Sequence, residues 1–152
     1  MTGMGFHKIM CAIDFSPGSR DALAMAAELA RDANAPLVLV HAWEPMRWAI
    51  AGEIPIAPQV MQGMVDTDQA QLARWESHAK ELGARNVTTR FLTGAAWDQI
   101  AFAAREDPEI DLIVMGTHGR TGLKHALLGS VAEKTVRHAP CPVLVVRARE
   151  AR

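Results

Sequence analysis

Between residues 116 and 130 the chain reads GTHGRTGLKHALLGS, with glycines at 116, 119, 122 and 129. Written as spacing, this is Gly116-x2-Gly119-x9-Gly129-Ser130. Glycines let successive backbone N–H groups turn inward into a nest that holds an anion. Ser130 stands at the start of a predicted helix, where free amides and the helix dipole favour phosphate. Arg120 and Lys124, with His118 and His125, add positive charge or donors, although a solvated loop face would use the same residues. A phosphate chain bridging the Gly116–Gly119 turn and the Gly129–Ser130 helix start fits this chemistry. The other phosphate signatures fail. No Gly-Lys-Ser/Thr occurs, so this is not a P-loop, and GTHGRTG is not the GxGxxG of dinucleotide folds. His118 and His125 lack a third ligand at metal spacing. Ser16, a histidine and Asp14 lack the Gly-x-Ser-x-Gly elbow of a hydrolase triad.

The elements that must position these residues alternate in type. HKIMCAID (7–14) is an apolar run with the character of a buried strand, and it ends on Asp14. Ser16 as N-cap and Pro17 at the first helical position open a helix with an apolar face at Leu23, Ala26, Ala27 and Ala30. PLVLVHAW (36–43) is a second strand, carrying His41 and Ala42 near its end. Residues 44–65 hold three prolines, two glycines and no clean period, and are expected to form an irregular, partly apolar loop with room for a helical turn. Asp66 to Leu82 is a helix, closed by Gly83. NVTTRFL (86–92) is the third strand, and GAAWDQIAFAARED is a helix stopped by Pro108. EIDLIVM (109–115) is the fourth strand, delivering Met115 to the edge of the Gly-rich loop. SVAEKTVRHA is the last helix, with Ser130 and Glu133 at capping-box spacing, and CPVLVVRA (141–148) is the fifth strand.

Apolar strands alternating with helices predict a parallel sheet covered on both faces, wound doubly because crossovers are right-handed. Such sheets bind ligands beyond the carboxyl ends of the strands, where the winding reverses. Asp14 and the Gly-rich loop both leave carboxyl ends of strands. Asp14 also suits a purely local role, because Asp-x-Ser-Pro is a good turn and cap. The four tryptophans read as packing residues, with stacking on a base an option for Trp43.

The chain of 152 residues, 49% hydrophobic, is expected to be a single domain, 1–152. A formal net charge of −1 offers nothing to nucleic acid or an anionic membrane. No signal peptide or spanning segment is evident, and Cys11 and Cys141 read as buried, reduced thiols, so a cytoplasmic location is expected.

The glycine spacing and its setting resemble the universal stress protein family, in its ATP-binding branch. Gly116, Gly119, Gly129 and Ser130 match that branch's Gly-x2-Gly-x9-Gly-Ser/Thr. KIMCAIDFSPGSRDAL, PLVLVHAW and the whole run from Asp111 to Arg147 resemble the family's pattern, whereas residues 44–65 fall in its variable region. The resemblance implies a five-stranded sheet in the order 3-2-1-4-5. It implies Asp14 on the nucleotide ribose and the backbone of His41 and Ala42 along the adenine. It places Gly116, Gly119, Gly129, Ser130 and Val131 around the phosphates; Met115 and Arg120 complete the candidate set. It implies a homodimer through strand five (142–147). ATP is the expected ligand, with Mg²⁺ or Mn²⁺ held mainly by the phosphates. The function expected is a nucleotide-dependent switch or partner-binding module in the stress response, with an unidentified protein partner. The alternative is a slow ATPase or nucleotidyl-transfer enzyme in the same pocket. No base is evident for the γ-phosphate, so efficient turnover is not expected.

Overall fold

The computed structural model describes residues 5–45, 56–117 and 128–148. Its elements run β1 (Lys8–Ala12), α1 (Pro17–Ala33), β2 (Leu37–Trp43), α2 (Pro58–Glu81), β3 (Val87–Thr93), α3 (Ala96–Glu106), β4 (Ile110–Gly116), α4 (Ser130–His138) and β5 (Val143–Val146). The five strands form one sheet in the order β3-β2-β1-β4-β5, every pair parallel. This is the order the resemblance implied.

Strand periodicity divides the core into two layers. Ile9, Cys11, Ile13, Leu37, Leu39, Leu112 and Val114 face Leu23, Ala26, Ala27 and Ala30 of α1 and Leu72 and Ala79 of α2. Met10, Ala12, Val38, Val40, Ile113 and Met115 face Ile100, Ala103 and Ala104 of α3 and Ala132 of α4. β1 is buried on both sides, which is why its run is apolar throughout rather than alternating. The alanine-rich faces of α1 and α3 carry short side chains, so both helices lie close to the sheet.

The local punctuation acts largely as read. Ser16 caps α1, its hydroxyl accepting the Ser19 amide, and Pro17 follows at the first helical position. Asn34 closes α1 in the left-handed region at φ 52°. Gly83, at φ 105°, closes the turn after α2.

Three boundaries differ from expectation. α2 begins at Pro58, eight residues before Asp66, so the stretch read as loop to residue 65 is helical over its last part. Those first two turns are largely solvated: Val60 is exposed, and only Leu72 and Ala79 of the whole helix are buried. A helix stretch without a core face writes no apolar period. Second, Ser130 is the first helical residue of α4, and Gly129 takes the N-cap position. No capping box forms; Glu133 instead pairs with Arg137 at 2.8 Å. Third, β1 and β5 are shorter than their apolar runs, and Asp14 lies two residues beyond β1. Cys11 is buried, which pushes its thiol up to about 12, but Cys141 is only half-buried. No helix among the described residues is long and apolar enough to cross a membrane.

Candidate functional site

β1 and β4 lie side by side, and the winding reverses between them. From β1 the chain passes to α1, which packs on one face of the sheet. From β4 it passes to α4, which packs on the other. The carboxyl ends of these two strands and the starts of these two helices frame one crevice. Gly116 sits where they meet. A Cβ there would stand 3.1 Å from the carbonyl carbon and oxygen of Gly18. The close approach of α1 to β4 therefore leaves a side chain at 116 only tight room, before any ligand is considered.

The α1 side of the crevice is a closed hydrogen-bond circuit. Asp14 Oδ1 accepts the Ser16 amide at 3.0 Å and the Ser19 hydroxyl at 2.6 Å. Ser19 Oγ accepts the Asp14 amide at 2.9 Å, and Ser16 Oγ accepts the Ser19 amide at 3.2 Å. Between Asp14 and Ser16, Phe15 adopts φ 65°, a left-handed conformation rarely taken by a bulky residue. The local turn-and-cap role that the Asp-x-Ser-Pro run suggested is thus present, and it uses Oδ1.

The α4 side is built differently. The Gly129 amide donates to the Thr117 carbonyl at 2.6 Å, tying the two ends of the Gly-rich loop together. Thr117 in turn donates its amide to Val146 of β5 at 3.1 Å, which anchors that junction to the sheet. Gly129 has no side chain to cap the helix, and its carbonyl accepts the Glu133 amide at 3.0 Å. The amides of Ser130, Val131 and Ala132 thus form the open first turn of α4, without a side-chain cap among the described residues. Gly119, Arg120, His118, Lys124 and His125 lie outside the described residues.

On the β2 side, His41 is buried and its ring is fully engaged. Nδ1 lies 2.9 Å from the Ile13 carbonyl and Nε2 3.0 Å from Asp68 Oδ2. Both ring nitrogens of His41 are thus taken up by these two partners. Trp43 is buried, and its carbonyl accepts the Gly94 amide. Met115 is buried in the layer shared with α3 and α4, so its side chain belongs to the core. Among the described residues no group of three or more metal-ligating side chains converges. A groove of about 250 Å³ between α1 and α2 is lined by Arg20, Gln71, Arg74, Trp75 and His78, none of them a candidate from the sequence. Asp68, Phe15 and Thr117 also escaped sequence reading. Asp68 lies in a polar helical run whose partner is 27 residues away, and nothing local marks it.

The fold is a doubly wound α/β sheet whose winding reverses between β1 and β4. The universal stress protein family model matches residues 5–147, and the chain belongs to that family. It is 36% identical to universal stress protein A homolog 1 of Coxiella burnetii over 148 residues, covering 97% of this chain and all of that one. The solved structure of protein MJ0577 superposes with a TM-score of 0.81 at 24% identity, covering 96% of this chain and 99% of that one. A universal stress protein solved in complex with cAMP superposes with a TM-score of 0.71 at 26% identity, over 95% of this chain and 99% of that one.

Proposed function

We propose that this protein binds an adenine nucleotide, ATP by preference, and acts as a nucleotide-dependent switch or partner-binding module. The observation that carries the reading is the glycine-capped start of α4. Its amides open onto the same crevice as a carboxylate at the end of β1. Phosphate goes to the first-turn amides of α4, which no side chain among the described residues caps, and away from Asp14, which would repel it. Asp14 accepts ribose hydroxyls. The backbone of His41 and Ala42 borders the adenine, while Gly116, Gly119, Gly129, Ser130 and Val131, with Met115 and Arg120, form the remaining wall. The relative that holds cAMP supports the adenine class. Mg²⁺ or Mn²⁺, where present, is held mainly by phosphate oxygens and water and adds charge neutralisation there.

The protein acts as a cytoplasmic homodimer in this reading, joined through β5. Pro142 and Val146 carbonyls accept amides from the β4 side. Strand alternation then directs the backbone groups of Val143 and Val145 to the open edge. Calorimetric titration with ATP, together with mass spectrometry of small molecules released on denaturation, tests the assignment. A folded protein that carries no nucleotide and binds none at millimolar concentration overturns it.

A further inference from the structure

We propose that His41 and Asp68 are positioning residues: they form a buried strut that holds the Asp14 carboxylate in its crevice-facing turn. The proposal deepens the nucleotide reading above and rests on it for its functional consequence.

Asp14 is bracketed on both sides by one side chain. The Ile13 amide still follows the sheet, donating to the Val40 carbonyl at 2.9 Å. The Ile13 carbonyl instead takes the His41 Nδ1 hydrogen at 2.9 Å. On the other side of Asp14, the Phe15 ring lies on the His41 imidazole, centroids 4.4 Å apart and planes 34° apart. Phe15 holds φ 65°, a conformation that costs free energy and persists only where its surroundings fix it. α2 supplies that fixing. Asp68 takes the other ring nitrogen at 3.0 Å, and Trp75, seven residues on along the same helix face, meets Phe15 edge-on at 5.5 Å. The imidazole and carboxylate side chains are only 5% and 14% exposed, so water is a poor substitute for either bond.

The proton arrangement makes Asp68 necessary. A carbonyl oxygen can only accept, so Nδ1 must carry a hydrogen. At Nε2 one hydrogen must lie between ring and carboxyl, either on the ring and donated to Asp68 Oδ2 or on Oδ2 and donated to the ring. Without the carboxylate the ring keeps only the Ile13 carbonyl and its contacts with Phe15 and Phe91, and the turn loses its tie to α2 through His41. An asparagine at 68 can restore the strut with a neutral ring, its amide donating to Nε2 while Nδ1–H stays on Ile13.

The test compares Asp68→Ala with Asp68→Asn in nucleotide-free protein by residue-resolved hydrogen exchange. The Ser16 amide, which donates to Asp14 Oδ1, should exchange at least about tenfold faster in Asp68→Ala, with Asp68→Asn near wild type and the Cys11 amide little changed. ATP affinity should fall about five- to tenfold in Asp68→Ala and recover in Asp68→Asn, and in an Asp14→Ala background Asp68→Ala should add no further loss. Unchanged Ser16 exchange, absence of rescue by asparagine, or additive losses in the double variant would overturn the strut. Should Asp68→Ala not fold, Phe15→Gly removes the ring and suits the backbone angle; it must also quicken Ser16 exchange, and an unchanged rate overturns the proposal. A wild type that binds no ATP sinks the nucleotide reading alone, and the exchange measurements still decide the strut.

Discussion

Two helix starts face the same crevice and treat their backbone amides in opposite ways. α1 is self-satisfied: Ser16 caps it, Ser19 and Asp14 complete the circuit, and a carboxylate stands in front of it. α4 has a glycine at its N-cap and, among the described residues, no side-chain cap on its first turn. Identical secondary structure therefore offers two different chemistries a short distance apart. In the proposed site this contrast would turn an anion away from α1 and towards α4, and hydroxyl donors towards Asp14. A ligand with a phosphate at one end and a sugar in its middle would be oriented by it. α3 reinforces the point, since its first amide, from Ala96, is taken by the distant Glu44 carboxylate at 2.7 Å. Among the described residues α1 and α3 have a first-turn amide taken by a side chain, whereas α2 and α4 show no side-chain cap.

The contrast is broken most severely by making α4 resemble α1. Gly129→Asp supplies an N-cap acceptor and a negative charge where phosphate is expected. Nucleotide affinity should fall at least about a hundredfold, about 2.7 kcal/mol, while the fold gains about 0.3–1 kcal/mol from the cap and dipole. Titration calorimetry and thermal unfolding on one preparation read both; affinity that survives in the stabilised variant would remove α4 from the site.

Asp14→Ala probes the other helix start. ATP binding should weaken by roughly 1–3 kcal/mol, the scale of charge-assisted hydrogen bonds. The preference for ATP over its 2′-deoxy and 3′-deoxy forms should shrink as well, in competition titrations. Loss of stability with full affinity and intact sugar preference would leave Asp14 with its turn-and-cap role only.

Val145→Pro leaves both helix starts untouched and removes an outward donor from the β5 edge. Sedimentation should shift from dimer towards monomer at tens of micromolar, with ATP affinity within about threefold of wild type. A wild type that is already monomeric there dismisses the β5 interface.

The smallest effect lies at the opposite end of the sheet. The Lys8 ammonium hydrogen-bonds Asp107 at 2.6 Å and holds its carboxyl below the usual range. Burial alone would raise Asp111, but hydrogen bonds from the His7 amide and ring and the Lys8 amide outweigh it and lower it. Both groups have folded values below their unfolded ones, so their stabilisation is complete above about pH 4 and is lost as pH falls through the folded values. Both are partly exposed, so the contribution is small. Asp107→Asn should flatten the acid limb of a pH–stability profile without altering nucleotide affinity at pH 7; an unchanged acid limb would show that the Lys8 pair contributes nothing.

Much was written locally. Apolar runs, Ser16-Pro17, Gly83 and the alternation of element types determine the strands, helices and parallel class, because each is a backbone or burial preference expressed within a few residues. The reading of the glycine spacing before Ser130 as an anion site is likewise local, since nests and helix starts are local backbone features. The tertiary structure decided what depends on distant neighbours. It assigned Gly116 to clearance for Gly18 and moved the α4 cap from Ser130 to Gly129, where the Thr117 carbonyl takes its amide. It also extended α2 back to Pro58 on a solvated face that leaves no periodic trace, and joined His41 to Asp68 across 27 residues. Hydrogen-bond partners and close backbone approaches between separate elements are set by how the layers pack, and no short stretch of sequence carries that information.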